Sequence, residues 1–284
     1  MIDFPIADTR LHLWDPQRIP YPWLANVLLL NKPCLLADYD RHCAPVRVER
    51  MVFVQCECDP ARYRQEVEWI TGLACQDMRL QGIVAWAPLE KGEAARAEVA
   101  ALARNPLVKG VRRIIQFEPD TGFCLRPDFV RGVQLLAEFN LSFDICLKGD
   151  EQFRNTLELV RRCPQVNFIL DHIGKPFIKE QIIEPWRTYL RELGRLPNTW
   201  CKLSGLVTEA EFKTWTKEDL KPYLDAVLEA FDWDRVMYGG DWPVALQATD
   251  YPHWVETLAW AISNASPTQR QKLFRDNAIR FYRL

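Results

Sequence analysis

Short apolar runs rich in β-branched and aromatic residues recur along this chain at intervals of about thirty residues, the length that a strand, a helix and two short loops occupy in a βαβ unit. They fall at Ile6–His12, Met51–Cys56, Gly82–Ala87, Gly110–Ile115, Leu141–Leu147, Asn167–His172, Thr199–Leu203 and Val236–Asp241. Between them, Ala61–Cys75, Ala94–Arg104, Pro127–Glu138, Glu151–Arg162, Pro185–Leu196, Lys217–Phe231 and Tyr251–Ser263 space apolar residues three and four apart, as one face of a helix requires. Met51-Val52-Phe53-Val54 is apolar at consecutive positions, so both faces of that strand need cover, as in a parallel sheet layered by helices. Eight such units in 284 residues predict an α/β fold, a (β/α)8 TIM-type barrel with a single domain over residues 1–284. An open doubly wound sheet would carry a glycine cluster after its first strand, where this chain has Thr9-Arg10-Leu11-His12-Leu13-Trp14. Pro-rich Ile19–Pro33 reads as a long first loop.

Charge narrows the function. Thirty-six basic residues against 38 acidic leave −2, which offers neither the basic stripe that nucleic acid demands nor a polybasic membrane face. No apolar run approaches the roughly 20 residues of a membrane span, and Met1-Ile2-Asp3-Phe4-Pro5 lacks the pattern of a secretory leader. The expectation is a cytoplasmic protein, monomer or homo-oligomer, whose partner is a small molecule. The nine cysteines are scattered, and the closest pair, Cys56 and Cys58, has one residue between, so reduced thiols are expected.

In a barrel of this type the chemistry lies at the carboxyl ends of the strands. Asp8, Arg10 and His12 alternate along the first run, which predicts that all three face inward. Gln55, Arg112, Arg113, Gln116, Asp144, Asp171, His172, Lys202 and Asp241 end or follow later runs. Trp14 and Trp242 stand beside them as candidate apolar walls, while Gln55, Gln116 and Asp144 suit hydroxyl recognition. Asp171 reads equally as a helix cap. Of the remaining histidines, His42 and His253 read as surface residues.

Four ordered motifs carry a resemblance. Asp8-Thr9-Arg10-Leu11-His12-Leu13-Trp14, Leu170-Asp171-His172-Ile173-Gly174-Lys175-Pro176, Cys201-Lys202-Leu203-Ser204-Gly205-Leu206 and Tyr238-Gly239-Gly240-Asp241-Trp242-Pro243 together resemble the lactonase branch of the amidohydrolase superfamily. That branch includes lactonases acting on fuconolactone, rhamnonolactone and pyrone dicarboxylate. The resemblance implies a barrel hydrolase of carbohydrate metabolism that opens a small lactone, with Asp241 as general base and His172 and His12 as partners that orient water or the lactone carbonyl. It departs at Arg10, where the family's opening pattern has histidine. A permanent guanidinium cannot ligate a metal and repels a divalent cation. No cofactor is therefore expected, although His12, His172 and Asp241 would still offer zinc three donors of its preferred types.

The expected chemistry is attack on an ester carbonyl by a water that Asp241 deprotonates, with Arg10, Arg112, His12 and His172 available to meet the oxyanion. Arg113 and Lys202 make the expected pocket cationic, which predicts a sugar-acid or other anionic lactone held by one arginine. The competing reading has Arg113 pointing outward to pair with an acid on a helix, since adjacent strand residues face opposite ways. Two alternatives to a lactonase are a metal-dependent decarboxylase, which Arg10 disfavours, and an inactive barrel used for binding, which the retained Asp241 and His172 disfavour.

Overall fold

A computed structural model describes residues 2–284. Eight parallel strands run in sequence order: β1 (Ile6–Leu11), β2 (Val48–Val54), β3 (Leu80–Ala85), β4 (Val108–Val111), β5 (Ser142–Ile145), β6 (Phe168–Leu170), β7 (Thr199–Leu203) and β8 (Val236–Tyr238). The sheet closes through the residues just past β8. Asp241 N–H donates to the Arg10 carbonyl and His12 N–H to the Trp242 carbonyl, both at 2.8 Å. Helices wrap the outside: α1 (Leu36–Cys43), α2 (Tyr63–Ala74), α3 (Arg96–Ala103), α4 (Pro127–Glu138), α5 (Asp150–Arg162), α6 (Trp186–Gly194), α7 (Lys217–Phe231) and α8 (Tyr251–Ala261). The predicted (β/α)8 architecture is the one observed. Among the described residues no helix is long and apolar enough to cross a membrane.

Two cores form because each strand alternates its side chains. Outward residues such as Phe143 and Phe168 stack edge to face, 5.9 Å between centroids, and merge with the helix layer. Inward residues Ala7, Val52, Val54, Val84, Ile169 and Met237 fill the barrel interior and pack against Phe281 and Tyr282. Those aromatics belong to a short terminal helix, α10 (Asn277–Tyr282), which follows α9 (Pro267–Gln271).

The expectation that Asp8, Arg10 and His12 share one inner face fails at Asp8. A register shift interrupts β1 between Asp8 and Leu11, and such a bulge breaks the alternation that the expectation assumed. Asp8 instead takes the Tyr39 and Tyr251 hydroxyls of α1 and α8 at 3.0 and 2.9 Å, and its other oxygen binds Arg10 N–H and Gly240 N–H. It anchors helices to the seam where the barrel closes. Gly240 is needed there, because a Cβ would lie 2.5 Å from Asp8 Oδ2.

Candidate active site

Strands stop earlier than their apolar runs, so the polar residues predicted at strand ends mostly sit on the first residues of loops. β6 ends at Leu170 because His172 and Ile173 adopt φ of 51°, and Asp241 at φ 53° turns the chain away three residues after β8. Non-glycine residues rarely hold this left-handed conformation, and where they do it costs on the order of 1–3 kcal/mol. The turn after Leu170 points the His172 ring at the residue just past β7, Ser204, whose Oγ lies 3.2 Å from Nδ1. Gly205 leaves the room, since a Cβ would fall 2.0 Å from that nitrogen.

Arg10, His12, His172 and Asp241 meet at the floor of a cavity of about 440 Å³. Around Oδ1 of Asp241 stand Arg10 Nε at 3.1 Å, His12 Nε2 at 3.5 Å and His172 Nε2 at 3.8 Å. His12 Nδ1 lies 2.8 Å from the Val54 carbonyl, which only accepts, so the ring proton sits on Nδ1 and Nε2 is an acceptor. Neutral His12 therefore has no donor for an oxyanion, contrary to one of the expected roles; its Nε2 suits a water proton. The shell of charge beneath is paired. Asp171 takes Arg10 and lies 3.2 Å from Lys202 Nζ and 3.6 Å from Arg112 Nη1, while Lys202 also binds Asp144 at 2.6 Å. Asp171 caps no helix; it is the hub of this cluster.

These pairings set the protonation states. Burial by itself raises the pKa of Asp241, but the facing His172 and His12 rings and Arg10 outweigh it and hold the carboxyl well below the usual carboxylate range. Burial, together with the Arg10 charge, lowers His12 to about 4 against the pull of Asp241, and pushes His172 down well below its ordinary value. Near neutral pH the floor holds a carboxylate, two neutral imidazoles and a guanidinium.

Trp14, Arg112 and Gln116 line the cavity as expected, and the buried Nε of Arg112 has no partner. Other candidates lie elsewhere. Arg113 is a correction: it leaves the cavity to pair with Glu90 at 3.2 Å and Glu118 at 2.7 Å, the outward alternative. Lys202 and Asp144 are sealed beneath the floor, where Tyr282 also donates to Asp144 at 3.0 Å, and burial in mutual ion pairs leaves neither free for substrate. Gln55 bonds Glu57 at 2.7 Å and lines no part of the cavity; Trp242 packs on Tyr39, 5.4 Å between ring centroids. With Arg113 and Lys202 withdrawn, the reason for expecting an anionic lactone falls away. His42 and His253 are exposed. Sequence reading missed Trp23, Cys58, Ile114, Phe117, Lys175 and Val244 on the cavity wall. Trp23 had a signal in its place in the Pro-rich first loop, and Lys175 in the Leu170–Pro176 motif.

Known proteins resemble this chain in sequence and fold. The chain is 31% identical to the L-fucono-1,5-lactonase of Burkholderia multivorans over 98% of its own length and 95% of that relative. It is 31% identical to the L-rhamnono-gamma-lactonase of Scheffersomyces stipitis over 72% of its length and 69% of that protein. A crystal structure of a Burkholderia multivorans amidohydrolase with bound zinc matches 99% of this chain and 100% of that one, at 31% identity and a TM-score of 0.88. Here the donors for zinc would be His12, His172 and Asp241, and they do not fit a resident divalent cation: Arg10, a permanent cation, already bonds the oxygen all three share. The family profile described as Amidohydrolase matches residues 7–284, from the first strand to the last residue. By fold, by the residues gathered at the strand ends and by this full-length match, the chain belongs to the amidohydrolase family.

Proposed function

We propose that this chain opens a lactone ring by adding water, with Asp241 as general base and no metal in the step. The observation that carries the reading is the convergence of Arg10, His12 and His172 on one oxygen of Asp241 at the cavity floor. A water bound there gives one proton to Asp241 and directs the other to His12 Nε2, leaving a lone pair for the lactone carbonyl carbon. As the new C–O bond forms, Asp241 takes the proton and the carbonyl oxygen becomes an oxyanion. Arg112 and Arg10, both on the cavity lining, supply the fixed positive charge that meets it, each such donor typically worth about 3 kcal/mol. Collapse breaks the ring ester bond, and the departing alkoxide takes the proton from Asp241, giving a hydroxy acid and the starting carboxylate.

A carboxylate held at low pKa is a weak base, so the oxyanion donors carry more of the barrier. That arrangement suits an ester, whose alkoxide leaves more readily than an amine. The relatives named for lactone hydrolysis support the same class. The decarboxylase reading needs a metal at the oxygen that Arg10 bonds, and the guanidinium disfavours it there. Acid release from a lactone panel, including L-fucono-1,5-lactone and unsubstituted δ-valerolactone, tests the proposal. Turnover by the native chain and a loss of about 10³-fold in Asp241→Asn are expected; equal rates for the two proteins would refute it.

A further inference from the structure

The cavity floor is polar, but its walls are not. Trp14 and Trp23 stand edge to face, 5.4 Å between centroids, and each has spent its only donor on backbone. Trp14 Nε1 binds the carbonyls of Leu30 and Lys32 at 3.1 and 2.9 Å, and Trp23 Nε1 binds that of Cys56 at 2.8 Å. Neither keeps a donor for a ligand, and since Trp14 is fully buried the face open to the cavity is that of Trp23. The Cys56 thiol is likewise turned to the Leu13 and Val54 carbonyls. Ile114 and Val244 complete the wall, and Phe117 stands at its rim with 74% of its surface in water. A large aromatic held in solvent beside an apolar wall is surface that a ligand would cover.

Hydroxyl recognition is correspondingly thin. A polyhydroxylated lactone brings several donors and acceptors, and each one buried without a partner costs its full desolvation. Of the groups suited to meet them, Gln55 and Asp144 lie outside the cavity. The polar wall residues that remain are each engaged in part: Glu57 Oε1 accepts from Gln55 at 2.7 Å, Gln116 Oε1 accepts from the Cys146 thiol at 3.3 Å, and Lys175 Nζ lies 3.7 Å from Glu209.

We infer that the substrate is a lactone whose ring bears an apolar alkyl or aryl substituent, seated along Trp23 and Ile114 with the buried Trp14 behind them and covered at the mouth by Phe117. This rests on the lactonase reading and narrows it. The test compares kcat/KM for δ-valerolactone, its pentyl-substituted derivative δ-decalactone, and L-fucono-1,5-lactone, with calorimetric binding of the matching pentyl-substituted and hydroxylated lactams, which cannot be opened as esters. The pentyl compound is expected to exceed the other two lactones at least tenfold, and Phe117→Ser to cut the pentyl-to-parent ratio about tenfold, a size ordinary for alkyl groups in apolar pockets. Preference for the hydroxylated lactone, or a ratio unmoved by Phe117→Ser, would overturn the inference while leaving lactone hydrolysis intact. Tight binding of the pentyl lactam alone, with no lactone opened, would support the apolar subsite and overturn the lactonase reading.

Discussion

Arg10 decides the character of this site. It bridges Asp171 and Asp241, so removing it leaves two buried carboxylates without their main cation. Breaking such a pair typically costs about 3–5 kcal/mol. Arg10→Met is expected to lower stability by that order in chemical denaturation and to reduce kcat/KM at least 100-fold, with no rescue by added zinc. His12 has a different signature. Its pKa falls from an ordinary 6.5 to about 4 in the folded chain, so the unfolded state binds its proton first as pH drops. The stability associated with neutral His12 is complete above pH 6.5 and is lost as pH falls from 6.5 toward 4, amounting to about 3 kcal/mol. Asp241, with its lowered pKa, acts oppositely: its share is present above the ordinary carboxylate pKa and is lost only in stronger acid. Denaturation of His12→Asn between pH 4 and 7 is expected to show a flatter acid slope than the native chain.

At the scale of elements, the turns after β6 and β7 form one device. The left-handed turn at His172 and the missing side chain at Gly205 (φ +64°) are each required by the other. Gly205→Ala is expected to retain the circular dichroism of the fold while cutting kcat/KM about 100-fold, through displacement of the His172 ring. Much of this level was legible: seven helices and the centres of seven strands follow from periodicity alone, while the run at Gly110–Ile115 overlaps β4 only in its last two residues. The ends were not, because an apolar run does not show where φ changes sign: the run of β6 continues through His172 and that of β8 through Asp241. The helix α1 was also hidden. Leu36–Cys43 buries only Tyr39 and Cys43, too few residues to make a period, yet Tyr39 ties it to Asp8. The bulge that turns Asp8 outward has no sequence mark at all. Arg112 and Arg113 could not be ranked, since alternation says that one faces inward without saying which.

Across the whole molecule, the barrel divides into a dry half and a working half. Val52, Val54, Val84 and Ile169 pack with the α10 aromatics on one side of the buried ion cluster, and the cavity opens on the other. Tyr282 touches both, reaching Asp144 from the apolar side. The ion cluster thus stands on a packed core, which keeps Arg10 fixed where the proposed reaction needs unreorganised positive charge. The direct test is hydrolysis of a turned-over lactone by chelator-treated protein whose metal content has been measured, alongside Asp241→Asn. The native chain is predicted to keep its full rate without metal and the variant to lose about 10³-fold. A rate that rises and falls with bound zinc, or an Asp241→Asn protein as fast as the native one, would contradict it.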